Sequence, residues 1–437
     1  MIRPVLDSGA LHRMLAEQAA IGATPEGGLH RVSASAEDGR VRDWLTDWFR
    51  AHELRPLVDP VGNQFGLLEL AGPDAPLLLT GSHLDSQPQG GRFDGAYGVV
   101  ASCQAVAAIQ AAVAAGAPRP RCNVGVVNWT NEEGARFQPS LLGSSVYAGA
   151  LSAAAAGERT DRDGVRLDEA LDAIGYRRRD AAPCASAYVE LHVECGPELE
   201  AAGRGIGVVE SWWGAVKATV EMVGRQAHTG PTPMRDRRDA LYAAALLIVA
   251  VRRLADEEDV AAGEVLYASV ARAEVIPNSP NVVPGRVVLW AELRSPHADV
   301  LERARARLPS EVERAAAAAD VRGRVVAESV RAAGRFDREL TELVDAVARR
   351  RGHEPLRLAT VAAHDAISLA PLAPSVVVNV PSARGVCHHP DEYTAPEDLE
   401  EGAQVLLEVM WDLCRAGGES HLQGGNDGHG GSAVAGL

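Results

Sequence analysis

Two hydrophobic spacings alternate along the first two hundred residues. Residues 10–20 and 38–53 carry Leu, Trp and Phe at helical intervals, which predicts two amphipathic helices. Asn63–Leu70 and Pro76–Thr80 read as strands. Leu77-Leu78-Leu79-Thr80 is a short continuous apolar run, the pattern of a strand buried on both faces. A helix over Val99–Ala115 follows, then buried strands over Asn123–Trp129 and Val189–Val193. Strands alternating with helices predict an α/β fold with a mainly parallel, helix-covered catalytic sheet.

The rhythm changes near residue 214. Val216–Val223, Val265–Ala273, Arg286–Leu293 and Val321–Ser329 read as strands, with helices over Asp236–Ala255 and Asp299–Ala319. That order, β-α-β-β-α-β, predicts an inserted ferredoxin-like α+β unit. Pro374–Val380 then resumes the buried-strand pattern. The expected organisation is a catalytic domain over 1–213 and 332–416, interrupted by a second domain over 214–331. The Gly-, Ser- and His-containing residues 417–437 read as a disordered tail.

Composition narrows the partners. The chain has 437 residues and a formal net charge of −16, with no long basic run, which argues against nucleic acid. Its six cysteines form no CxxC pair, so neither a disulfide scaffold nor a thiolate zinc site is expected. No secretion signal is read at the N-terminus. The apolar stretch Leu241–Val251 is too short to span a bilayer. The expectation is a cytoplasmic protein that is not bound to a membrane.

Four segments carry candidate chemistry. GSHLDSQPQGGRFDG at 81–95 supplies His83, Asp85 and Asp94. Imidazole and carboxylate suit zinc-like ions. Asp85, two residues past His83 on an extended segment, is placed to accept the second ring N–H of that histidine. NWTNEEGARF at 128–137 puts Glu132 and Glu133 at a strand end, where one can bind metal and the other serve as base. ELHVECGP at 190–197 supplies His192, and GVCHHPDEYT at 385–394 supplies His388 or His389.

These segments, in this order, resemble the hydantoinase/carbamoylase family of metal-dependent amidases. The resemblance runs from AIGATPEGGLHRVSASAED at 20–38 through GVCHHPDEYTAPEDL. It implies a lid domain that also mediates homodimerisation, and two divalent metal ions. Zinc comes first; manganese, cobalt or nickel also fit the ligands. It further implies His83, Asp94, Glu133, His192 and His388 as metal ligands, with Asp94 as bridge, His388 preferred to His389, and Glu132 as general base. In GRQAHTGPTPMRDRRDA at 224–240, His228 resembles the residue that polarises the scissile carbonyl; Asn281 and Arg294 resemble the grip on a substrate carboxylate. The implied activity is hydrolysis of an N-carbamoyl amino acid or a related small amide bearing a carboxylate. An N-acyl amino acid amidase or dipeptidase, or a binding protein on this scaffold, are the alternatives. The chain departs from the pattern at Cys195 (usually Gln, beside the substrate), Cys387 (usually Ser), Ala363 (usually Gly) and the Trp212-Trp213 pair.

Overall fold

The computed structural model describes residues 2–262 and 265–416. The predicted disorder of 417–437 lies outside the described residues. The chain divides into two compact units. One runs to Glu210 and resumes at Phe336–Leu358 and from Ala362; the other is Ser211–Arg335 with Ala359–Val361.

In the first unit, helix Ser8–Ala20 begins at Asp7, whose carboxylate accepts the Ala10 N–H at 2.8 Å. Helix Ala36–Ala51 is capped by Ser35 and has Glu37 and Asp38 in its first turn, where helix N-termini favour negative charge. Strands β1 (Arg55–Val58), β2 (Gln64–Leu68), β3 (Leu77–His83), β4 (Asn123–Trp129), β5 (Ala187–Val193) and β6 (Gly207–Trp212) follow. The second unit holds β7 (Gly214–Val223), the short β8 (Ala227–His228), β9 (Tyr267–Ile276), the short β10 (Val282–Val283), β11 (Arg286–Ser295) and β12 (Arg322–Arg331). The chain returns through β13 (Gly334–Arg335), β14 (Leu356–Thr360) and β15 (Ser375–Val380).

The order across the large sheet is β1-β2-β4-β3-β5-β15-β6. Only its centre is parallel: β4, β3, β5 and β15 run together, while β1, β2 and β6 are antiparallel to their neighbours. The expectation of a mainly parallel sheet therefore holds for the centre and not for the flanks. β1 and β2 are joined by a short connection, which permits only antiparallel pairing between neighbours. Leu78, Leu79, Val124, Val126, Val189, Leu191 and Val376–Val378 are buried. Each contributes on the order of 1.5–3 kcal/mol by leaving water.

Helices Ala96–Ala114 and Pro396–Ala416 pack against each other and against the parallel strands. Ala96–Ala114, not Leu241–Val251, is the most membrane-like segment among the described residues. It is long and apolar enough to cross a bilayer, but 78% of its apolar window is buried in the fold. It is a core helix whose apolar surface faces protein on nearly all sides.

The second unit has an antiparallel sheet, β12-β7-β11-β9, with helices Ala240–Ala262 and Ala298–Ala318 against it. Val287, Leu289, Ala291 and Leu293 alternate along β11 into that core. Its elements occur as β-α-β-β-α-β once the short β8–β10 ribbon is set aside.

A buried ion pair supports the strand end that carries Glu132. Arg42 and Asp38 are fully buried and meet at 2.9 Å; the guanidinium also donates to the Gly62 carbonyl and the Thr130 hydroxyl. Arg42→Leu leaves Asp38 charged and unpaired in the interior. The expected loss is about 3–5 kcal/mol in denaturant unfolding; a loss below about 1 kcal/mol contradicts this account.

Candidate metal centre

The centre is built where the parallel strands end. β3 and β4 run in register, so His83 stands opposite Trp129, immediately before Thr130–Glu133. His192 stands opposite Asn379 of the next strand over, β15, whose continuation leads to His388. C-terminal strand edges are where open α/β sheets bind ligands.

Close backbone packing brings the groups together. At Gly81 (φ 151°) a Cβ would lie 2.0 Å from the Val127 carbonyl oxygen, so only glycine lets β3 approach β4 there. At Gly95 (φ 66°) a Cβ would lie 2.4 Å from His83 Nε2. Asn131 takes the left-handed region (φ 57°), a conformation Asn tolerates better than most residues. This turns the chain sharply before Glu132.

Asp94 is the hub. Its Oδ1 lies 3.2 Å from His192 Nε2 and 3.8 Å from His83 Nε2. Its Oδ2 lies 3.1 Å from His388 Nε2, which is 3.2 Å from Glu133 Oε2. Two trios of imidazole and carboxylate donors share this carboxylate: His83, Asp94 and His192, and Asp94, Glu133 and His388; a third group joins it to the Cys195 and Cys387 sulfurs. His83 Nδ1 is 2.9 Å from the Asp85 carbonyl oxygen, and His192 Nδ1 is 2.8 Å from the Val193 carbonyl oxygen. A carbonyl can only accept, so each Nδ1 carries a proton, and each Nε2 faces Asp94. Burial acts to raise the Asp94 carboxyl, but hydrogen bonds with His192 and His388 hold it well below the usual carboxylate range. Burial lowers the His83 imidazole, which suits a neutral ligand.

The donor set fits divalent cations. Asp85, Asp94 and Glu132 are buried beside Glu133, with imidazole as their main company. So much buried carboxylate calls for compensating positive charge. Burial pushes the Glu132 carboxyl well up, and Asp365, Glu133, Asp85 and Asp94 push the same way. Glu132 Oε2 lies 3.6 Å from His83 Nε2.

Asp85 does not do what the sequence suggested. Its carboxylate Oδ1 is 3.9 Å from His83 Nδ1, and its backbone carbonyl takes that hydrogen bond instead. After His83 the chain leaves the strand, so the alternation that would place both side chains together ends there. The carboxylate accepts the Glu132 N–H at 3.2 Å, and its Oδ2 has no hydrogen-bond partner among the described residues.

Glu392 and Glu190 had no role in the sequence reading. Glu392 accepts the N–H groups of Phe93 and Asp94 at 2.7 and 3.1 Å, clamping the loop that presents Asp94; burial pushes its carboxyl up to about 8. Glu190 lies two residues before His192 on one face of β5 and accepts from the Ser82 hydroxyl and the Ala366 N–H. The strand period was the signal that could have found Glu190; Glu392 stood in a quoted segment with nothing local to mark it.

Cys195 and Cys387 lie beside Asp94, with their sulfurs 2.9 Å apart. His389 is exposed and hydrogen-bonds the Asp391 N–H, outside both trios. In the second unit, His228 is exposed on β8 and pairs in register with Val282, next to Asn281, whose carbonyl accepts the Thr229 N–H. Arg294 on β11 donates to the Val361 carbonyl at 2.6 Å and pairs with Glu292 at 2.9 Å. Trp212 packs its ring against Gly334 and donates to the Ala332 carbonyl, a structural role within the same unit.

The model of peptidase family M20/M25/M40 matches residues 79–412, from within β3 into the last helix. The chain belongs to this family. Membership makes it a metal-dependent hydrolase of mixed α/β fold. It is 34% identical over 413 residues to an N-carbamoyl-L-amino acid amidohydrolase of Geobacillus stearothermophilus, covering 93% of this chain and 98% of that one. It is 31% identical over 400 residues to an allantoate amidohydrolase of Bacillus subtilis (strain 168), covering 90% and 94%. Among solved structures, a hydantoinase/carbamoylase family amidase from Burkholderia vietnamiensis superposes with a TM-score of 0.88 at 37% identity, covering 94% and 98%.

Proposed function

We propose that this M20 hydrolase is a binuclear amidohydrolase that cleaves the ureido C–N bond of an N-carbamoyl amino acid or a related small carboxylate-bearing amide. The observation that carries the reading is the division of Asp94, with one oxygen toward His192 and His83 and the other toward His388. In this reading His83, Asp94 and His192 hold one divalent ion, and Asp94, Glu133 and His388 hold the second. Zinc is the first candidate, and manganese, cobalt and nickel suit the same donors.

When bound, such ions polarise the substrate carbonyl and make water a nucleophile at neutral pH. The proton work falls to Glu132. Its carboxylate takes a proton from the attacking water and returns it to the leaving nitrogen. Asp85 acts as a positioning residue, holding the Glu132 N–H with its carboxylate and the His83 ring with its carbonyl. With a carbamoyl substrate the products are an amino acid and carbamate, which decomposes to ammonia and carbon dioxide.

In the second unit, the proposed lid, His228 is the proposed partner of the developing oxyanion. Arg294 and Asn281 are the proposed carboxylate grip; Arg294 would exchange its Glu292 contact for the bidentate pairing a guanidinium prefers. Cys195 is proposed to border the substrate. Leu241, Tyr242, Ile248 and Val249 are exposed on helix Ala240–Ala262, in two pairs one heptad apart. That stripe supports a homodimer through the second unit. All six cysteines are free thiols, which supports a cytoplasmic setting.

Metal-loaded protein should hydrolyse N-carbamoyl-L-amino acids or allantoate at least about tenfold faster, by kcat/KM, than N-acetyl amino acids or dipeptides, a margin of about 1.4 kcal/mol. Ammonia release and amine detection read the two classes separately. Preference for acetyl or dipeptide substrates would replace the carbamoyl reading with the acyl amidase or dipeptidase reading. Hydrolysis of none of these by protein with bound metal would leave a binding role.

A further inference from the structure

Cys195 follows β5 directly after Glu194, and Cys387 directly precedes His388. Their sulfurs are 2.9 Å apart, closer than two unbonded sulfurs prefer and within a small movement of a covalent S–S bond of about 2.05 Å. The two loops are held together independently of the thiols. A Cβ on Gly385 would lie 2.7 Å from the Gly196 carbonyl carbon, and the Arg384 N–H donates to Glu200 at 2.7 Å. Both residues are partly exposed. Cys122 and Cys414 show the same 2.9 Å separation but are fully enclosed, which makes them an internal comparison. Cys387 also donates its S–H to Asp94 Oδ2 at 3.1 Å.

We propose that Cys195 and Cys387 are a dithiol modification site that a hydroperoxide oxidises to an intramolecular disulfide. One sulfur attacks a peroxide oxygen; the O–O bond breaks, and a sulfenic acid forms as water or alcohol leaves. The second sulfur attacks the sulfenic sulfur, forming the S–S bond and releasing the oxygen as water. Two thiols lose two electrons and two protons, and the peroxide is reduced by two electrons. The product ties the loop of His388 to the strand end of His192 and removes the S–H donor from Asp94. Access selects this pair over Cys122–Cys414.

The test treats the full chain with hydrogen peroxide, then unfolds it without reductant and counts thiols. The expected count falls from the six cysteines of the sequence to four, and digestion yields one linked pair joining the peptides of Cys195 and Cys387. Dithiothreitol should restore all six. In Cys387→Ser this link cannot form, and Cys195 should advance to higher oxides instead. An unchanged count, a link confined to Cys122 and Cys414, or separate sulfinic acids in the unsubstituted chain would overturn the proposal. Neither readout depends on substrate or turnover.

Discussion

Glu132→Gln should retain bound divalent metal and lose about two to four orders of magnitude in kcat, the range a positioned general base supplies. Glutamine keeps the shape of the side chain but cannot accept and return a proton at neutral pH. KM should change little, because the base acts in the transition state more than in substrate binding. The fold should not suffer. Burial raises the Glu132 carboxyl well above its usual range, and four carboxylates add to the effect. A carboxyl raised on folding costs stability at pH values above its unfolded pKa, since its charged form is disfavoured in the native state. The neutral amide removes that cost. Metal-free Glu132→Gln should therefore melt at or above the temperature of the unsubstituted chain near pH 7. Near-normal kcat in this variant would remove Glu132 from the base role.

Asp94→Asn should abolish activity by a different route. Asp94 is the one residue common to both donor trios. Loss of a supporting group alone costs about 10–100-fold in metal affinity, so loss of the proposed shared ligand should exceed about 100-fold on the same scale. Elemental analysis after dialysis should find the variant largely stripped. The stability effect has the opposite sign to that of Glu132→Gln. The folded Asp94 carboxyl is held below its usual range despite burial, by His192 and His388. Such a group stabilises the fold above its unfolded pKa, and the contribution fades as pH falls through the folded pKa. Metal-free Asp94→Asn should thus be less stable than the parent near pH 7, and the difference should shrink in acid. Full metal occupancy in Asp94→Asn would refute the bridging assignment.

Part of the centre can be read from the sequence alone. Strand ends were legible because continuous apolar runs stop at polar residues, as at Leu79 and His83 or at Val127 and Glu133. Position at such an end is enough to nominate a ligand. Partnership is not, as Asp85 shows: its distance from His83 along the chain suggested a carboxylate contact, and the backbone carbonyl makes it. Glu392 was invisible for the same reason, because its partners Phe93 and Asp94 lie 299 and 298 residues away. The parallel centre was readable from its fully buried strands. The antiparallel flanks were not, since short strands such as Arg55–Val58 carry little pattern. The sequence predicts a helix over Val99–Ala115, close to the observed Ala96–Ala114, but the burial of most of its surface depends on neighbours that arrive late in the chain, among them Pro396–Ala416.

The clamp from Glu392 onto the Asp94 loop has a consequence for synthesis. His83, Asp94, Glu133 and His192 leave the ribosome early, and the whole second unit follows before His388 and Glu392 appear. The Asp94 loop cannot take its final form until that last stretch has joined the sheet beside β5. A nascent chain that stops before this stretch therefore lacks His388, a proposed ligand, and the Glu392 brace of the Asp94 loop. Assembly of the centre therefore waits on a stretch made after the whole second unit, so partly made copies are spared the chemistry of the folded one.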